Sequence, residues 1–313
     1  MFGYLMIGFN AVMPMVMYML LGQMFARSGM IQESSFKEFN KAIFSILLPI
    51  NLFTNIYISD FKQTFNASTL AFILITAATL YAILAFVIPK LESEQTRYGV
   101  MLQGSVRSNA ILFGLPLGTA LLGESNMGMV TITIAIIVPF WNIMSVVGFS
   151  LYSDSKVSFK QMGKTVITNP MVIATIIGIL VVLFNIQFPV FINTTLTNIN
   201  RMVSPLALMV MGGTFSFKEI RNSGKSLIFT LSNKLIILPL IAITLGALVG
   251  FRNDAIISIL IAFAGPTAVS SYAQAVAAGG DGKLANQIVV FSTILSMFTL
   301  VVWITLMKVF GLF

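Results

Sequence analysis

The sequence predicts an all-α integral membrane protein of ten transmembrane helices, arranged as two five-helix repeats of opposite orientation. Three observations carry this. The 313-residue chain is 57% hydrophobic and only 9% charged, against about 25% charged residues in a soluble domain. Its apolar residues run in long unbroken stretches, with a mean hydropathy of +0.95, and lack the period-two alternation of a membrane β-barrel. Those stretches also form two series that echo each other along the chain.

A span needs about 20 mostly apolar residues. Ten are read, at 5–25, 39–58, 68–90, 98–122, 127–152, 165–186, 199–217, 226–249, 254–278 and 285–311. Of the 18 Lys and Arg residues, twelve follow the odd-numbered spans, four (Lys62, Arg201, Arg252 and Lys308) lie on the other side, and Arg107 and Lys234 fall inside spans. Basic residues concentrate in cytoplasmic loops, so the expectation is a multi-pass protein of the cell membrane with both termini outside. The net charge of +8 has the same origin and does not call for nucleic acid.

The echo begins with Pro14-Met-Val-Met-Tyr-Met-Leu-Leu-Gly22 and Pro170-Met-Val-Ile-Ala-Thr-Ile-Ile-Gly178, an offset of 156 that Pro49 and Pro205 repeat; Pro116 and Pro266 are 150 apart. Five spans per repeat is an odd number, so the second repeat must be inverted. Residues 1–151 form the first repeat, 152–164 a short polar cytoplasmic linker, and 165–313 the second. Inverted repeats with interrupted helices at matching positions mark secondary transporters, whose site lies near the midplane.

The interruptions are Ser108–Gly123, which contains Gly114, Pro116 and Gly118, and Ala262–Tyr272, which contains Gly265 and Pro266. Proline removes a backbone donor and clashes with the preceding turn. A backbone group freed in hydrocarbon must be satisfied by protein or water. Each second half-helix is expected to begin near its proline and to aim an N-terminus, with its partial positive charge, at an anion. The competing reading is two unrelated proline kinks.

The side-chain inventory narrows the chemistry. There is no cysteine and no histidine, which removes thiol catalysis, His-metal sites and Ser-His-Asp triads. All ten acidic residues fall in loops or at span ends, so neither an intramembrane carboxylate relay nor catalysis by paired carboxylates is expected. The chain reads as a non-enzyme without a cofactor or metal. Arg107 either snorkels to the cytoplasmic interface or faces a cavity. Lys234 is a substrate counter-charge or a structural tether. Asn51, Thr54, Asn109, Asn142, Thr267 and Ser270 supply neutral donors able to hold a carboxylate, or else bond helix to helix. Trp141 and Trp303 read as packing.

An ordered set of motifs runs through the chain: Arg107-Ser-Asn-x4-Gly-x-Pro116, Trp141-Asn-x-x-Ser145, Asn169-Pro170, Ser204-Pro-Leu-Ala-Leu-x3-Gly212, Lys234-x4-Pro239, and Gly265-Pro266 followed by Gly279-Gly-Asp281. This set resembles the auxin efflux carrier family, in the bacterial branch that includes malate and malonate permeases. The resemblance implies a fold like that of sodium/bile-acid symporters, with helices 4 and 9 broken and crossed at their prolines. It implies a scaffold of helices 1, 2, 6 and 7, a transport domain of helices 3–5 and 8–10, elevator movement and a homodimer. Its substrates are small organic anions, with Asn109 and Asn142 contacting a carboxylate and Asn51 and Thr54 lining the scaffold side. The linker is too short to carry the regulated loop of plant members. The expectation is an organic-anion transporter of malate-like carboxylates working by uniport or potential-driven flux. The alternatives are proton or sodium coupling to another carboxylate or an auxin-like weak acid, and an anion channel or sensor on the same fold. The expected binding set is Asn109, Gly114, Pro116, Asn142, Gly265, Pro266, Thr267, Ser270, Asn51, Thr54, Lys234 and Arg107.

Overall fold

A computed structural model describes residues 2–58, 66–152, 168, 170–213 and 224–313. The linker beyond Tyr152, Asn169 and the basic residues Lys62, Lys156, Lys160, Lys164, Lys218 and Arg221 lie outside the described residues. The described chain is helical. The helices are α1 (Phe2–Arg27), α2 (Glu33–Ala42), α3 (Leu48–Ile58), α4 (Ala67–Leu91), α5 (Gln95–Val106), α6 (Leu115–Leu122) and α7 (Gly128–Leu151). They continue with α8 (Pro170–Leu183), α9 (Val190–Gly213), α10 (Gly224–Ser232), α11 (Leu238–Val249), α12 (Asn253–Ala264), α13 (Ser270–Ala277) and α14 (Gly282–Val309). Among the described residues, six helical stretches are long and apolar enough to cross a membrane: Gly3–Arg27, Ser34–Ile58, Ala67–Leu91, Gly128–Leu151, Gly224–Val249 and Gly282–Val309. Two shorter apolar helices, Ala110–Leu122 and Asn253–Ala264, accompany them.

Local chemistry sets the ends. The Asn66 side chain accepts from the Ser68 and Thr69 N–H groups, both at 3.1 Å, and caps α4. Asp281 accepts from the Leu284 N–H at 2.9 Å and caps α14; each satisfies donors that a helix start leaves free. Gly250, at φ +99, closes α11 in the left-handed conformation.

Among the described residues, three helices widen into a π turn, at Ile43–Leu47, Ala110–Gly114 and Asn233–Ile237. Each is followed by the same dipeptide, Leu48-Pro49, Leu115-Pro116 and Leu238-Pro239. A proline ring clashes with the carbonyl four residues earlier and offers it no donor. The wider turn moves that carbonyl away, and the helix continues. Pro116 therefore does not break its helix. The interruption lies further back, where Arg107–Asn109 leave the helical conformation between α5 and the π turn. This corrects the expected break near Pro116. The other interruption falls where expected, with Gly265 extended after α12. The second stretch begins six residues earlier than expected, at Glu33, and the seventh nine earlier, at Val190; the first extension is polar, and the second sets Asn193, Thr194, Thr195, Thr197 and Asn198 among apolar residues.

The helices α1, α3, α8 and α9 pack on one another, and α14 packs along α1. The α1–α9 contact is backbone to backbone. A Cβ at Gly22 would sit 1.7 Å from the Met209 carbonyl oxygen, and one at Gly212 would sit 2.0 Å from that of Met19, so glycine is required on both sides, as in close helix pairs of membrane proteins. The α3–α9 contact carries an amide triangle. Asn51 donates to Asn200, Asn200 donates to Asn55 at 2.8 Å, and Asn55 donates back to Asn51 at 3.2 Å.

At one end of the bundle Arg97 of α5 pairs with Asp281 at 3.0 Å and Glu94 at 3.1 Å. Next to it, Glu92 accepts from the Ser226 hydroxyl of α10 and from the Ser93 and Glu94 N–H groups at 2.9 and 3.0 Å. Burial pushes the Glu92 carboxyl up, but the Ser226 bond, the two backbone bonds and the Arg97 charge outweigh it and hold the group below its ordinary 4.5. A depressed carboxylate contributes stability above its ordinary range, and that contribution is lost as pH falls through the folded value.

Two predictions follow from this packing. Gly212→Ala should lower stability by about 1–3 kcal/mol, the cost of forcing a methyl into a filled contact. Gly224→Ala, where nothing lies within 4 Å, should be neutral in the same thermal-unfolding assay. Glu92→Gln should reduce the melting temperature at neutral pH and leave it unchanged once the pH is below the carboxylate range.

Candidate functional site

The two interruptions meet. Ser108 and Thr267 form an isolated antiparallel bridge. The Asn109 N–H donates to the Pro266 carbonyl at 2.7 Å, and the Ala268 N–H to the Arg107 carbonyl at 3.3 Å. Each unwound segment thus supplies the backbone partners that the other has lost. Side chains complete the join. The Ser108 hydroxyl donates to the Ile261 carbonyl at 3.0 Å, and the Thr267 hydroxyl to that of Gly104 at 2.8 Å. The Ser292 hydroxyl accepts from the Thr267 N–H at 3.0 Å. Gly265 is required here, since a Cβ would lie 2.5 Å from the Ser108 oxygen.

Lys234 is fully buried. Its ammonium donates to the carbonyls of Val106 at 3.2 Å and Phe263 at 3.3 Å, at the ends of α5 and α12. A cation placed on two helix C-termini satisfies orphan carbonyls and the negative ends of both dipoles. Of the two readings of Lys234, this geometry is that of the tether.

Beside the crossing lies a cavity of about 280 Å³, whose lining includes Arg107, Asn109, Trp141, Asn142, Ser270 and Gln274. Arg107 is only 5% exposed. Its guanidinium donates to Asn142 Oδ1 at 2.7 Å, to the Ser270 hydroxyl at 2.9 Å, to the Ser145 hydroxyl at 3.5 Å and to Gln274 Oε1. All four acceptors are neutral. Among the described residues no acidic side chain pairs with Arg107, and no cluster of His, Cys, Asp or Glu could hold a metal. Asn142 Oδ1 also accepts from Gln274 Nε2 at 3.3 Å. The Asn142 oxygen is held twice, and among the described residues its Nδ2 group, on the cavity wall, has no hydrogen-bond acceptor. The Asn109 amide nitrogen meets only the Met211 sulfur, at 4.0 Å, which is a weak acceptor. The cavity therefore presents a buried positive charge and at least two amide donors, an arrangement complementary to a carboxylate.

Four expected residues meet in this cavity: Arg107, Asn109, Asn142 and Ser270. The others do not line it. Gly114 packs against Ile261. Gly265, Pro266 and Thr267 build the crossing, and Lys234 ties it. The Thr54 hydroxyl donates to the Ile50 carbonyl at 2.8 Å within its own helix. Asn51 and Pro116 line a second cavity, of about 320 Å³, together with Asn55, Asn200, Arg201 and Glu124. There Arg201 and Glu124 form a two-pronged ion pair at 2.9 and 3.1 Å. Sequence reasoning missed Gln274. The signal was present: Ser270 and Gln274 are four apart and share one helix face.

The family model described as membrane transport protein matches residues 7–304. The chain is also similar to an uncharacterized transporter of Methanothermobacter thermautotrophicus, at 21% identity over 94% of this chain and 96% of the other.

Lys234→Met keeps the volume and removes the donor. It should cost about 1–3 kcal/mol for each of the two carbonyls left unsatisfied, read as a lowered unfolding temperature in detergent.

Proposed function

From the premise that the chain belongs to the membrane transport protein family, the auxin efflux carrier family, we propose that it is a secondary transporter of small organic anions, with malate-like carboxylates as its substrates. Transport runs by uniport or potential-driven flux, with alternating access at the crossing of the two interrupted helices. The observation that carries this reading is Arg107, a buried guanidinium on a cavity wall with only neutral partners. A buried charge without a counter-charge is costly, and an arriving carboxylate supplies one. Asn142 and Asn109 would bond the remaining carboxylate lone pairs. No acidic side chain lines this cavity, and Glu92, Glu94, Glu124, Asp254 and Asp281 sit at helix ends, which supports an anion site that needs no coupling ion.

The family resemblance extends the proposal. The pieces α4–α7 and α10–α14 would move as an elevator against α1–α3, α8 and α9, in a homodimer of the cell membrane with both termini outside. A lipid bilayer as the surroundings and no nucleic-acid partner belong to the same reading.

Labelled malate in proteoliposomes tests it. Uptake should saturate and show counterflow. Arg107→Gln should weaken malate binding by roughly a hundredfold, the loss expected for a charge-assisted pair. Asn109→Ala should weaken it by roughly tenfold, with the unfolding temperature preserved. Flux that rises linearly without counterflow would identify a pore, and strict dependence on a sodium gradient would overturn uniport.

A further inference from the structure

Gln274 is the hub of the polar network on the cavity wall. Its Oε1 accepts from Arg107 and from Gln103 Nε2 at 2.5 Å, while its Nε2 donates to Asn142 Oδ1 at 3.3 Å. Two donors face the oxygen and one acceptor faces the nitrogen, so the network fixes which way the amide points. Glutamate has the same length and shape. At this position it would set a carboxylate against Arg107, in the place where a bound anion's charge is needed, and an oxygen against Asn142 Oδ1.

We infer that Gln274 sets the charge the cavity accepts: as an amide it holds Arg107 and Asn142 in position without cancelling the guanidinium, so that an anion binds without a proton. A carboxylate at the same place would compete with the anion for Arg107, and the anion would bind only as that carboxylate took up a proton. The inference rests on the anion-transport reading and deepens it, because it names the residue that keeps the site free of proton coupling.

The surrounding charges leave Arg107 as the group that decides this. On α5 the charged side chain is Arg97, which pairs with Asp281 and Glu94 at the end of the bundle. Helix α7 contains no charged residue, and α14 carries Lys283 and Lys308 only in its first and last turns. Lys234, in the π turn packed on α5, donates to the Val106 and Phe263 carbonyls. Gln274 is therefore bonded to one charged group, and its own neutrality leaves that charge uncompensated.

Calorimetric titration with L-malate, malonate and succinate, run in two buffers of different ionisation enthalpy, tests the inference. Wild-type protein should bind with no proton uptake beyond that of the ligand itself. Gln274→Glu should bind roughly a hundredfold more weakly near pH 8, as expected when a fixed charge pair at close range must be displaced. Its affinity should then rise by up to about tenfold per pH unit lowered, with uptake of about one proton per anion. Gln274→Ala loses the positioning but adds no charge, and should weaken binding equally at every pH. Should Gln274→Glu not fold, Asn142→Asp places a carboxylate on the same guanidinium and keeps both bonds to its oxygen; its binding should show the same proton uptake. Wild-type affinity without proton uptake in both carboxylate variants overturns the inference alone, as does identical pH behaviour of Gln274→Glu and Gln274→Ala. Failure of wild-type protein to bind any of the three acids overturns the anion-transport reading and this inference with it.

Discussion

The structure depends on how two helices are allowed to stop in the interior. A helix end leaves four backbone groups without partners, and in hydrocarbon each one costs several kcal/mol. Here four ends meet in one place. Backbone pairing between Arg107–Asn109 and Pro266–Ala268 satisfies some of the groups. The hydroxyls of Ser108, Thr267 and Ser292 satisfy others. Lys234 takes one carbonyl from each helix that ends. Because these backbone groups and the side chains of Ser108, Thr267, Ser292 and Lys234 are committed to the join, they are not available to a ligand. The side chains of Arg107, Asn109, Asn142 and Ser270 take no part in the join, and they line the cavity.

The two buried cations illustrate how the same kind of charge serves two ends. Lys234 is a compact ammonium with three donors, suited to converging carbonyls. Arg107 is a planar fork suited to carboxylate. Lys234 is neutralised by dipoles that belong to the fold and are always present. Arg107 is surrounded by dipoles of amides and hydroxyls, which orient it but leave its charge to be met from outside. The acidic residues that pair with cations in the described chain, Glu92, Glu94, Asp281 and Glu124, all do so at helix ends, and none of them lines the Arg107 cavity.

Much of this was legible in the sequence. Composition and long apolar stretches gave the membrane class, and the charge census isolated Arg107 and Lys234 as the interior cations. It could not assign them, because the difference lies in which backbone atoms a side chain of similar depth can reach. Pro266 marked its interruption correctly, since Gly265 before it lets the chain extend. Pro116 misled, because a proline can be accommodated by a wider turn that has no composition of its own. Gln274 escaped because a single amide in a short half-helix looks like a helix-bonding residue. Its role appears only when Gln103 and Arg107, one helical turn apart, and the distant Asn142 are brought around it. Asn51 was picked out as a neutral donor after Pro49, but its partner Asn200 lies 149 residues away, and the triangle they form with Asn55 sits at the second cavity.

The π turns before Pro49, Pro116 and Pro239 carry a consequence for how this chain is to be aligned. Such a turn is, in effect, one residue inserted into a helix. Everything beyond it is rotated by about 100°, one residue's share of a helical turn. A relative that lacks the turn can present the same faces only if it is one residue shorter at that point. Single-residue gaps beside these three Leu-Pro pairs would then record a change in helical winding. An alignment that closes them for tidiness would shift the residues between the π turn and the next loop onto the wrong face.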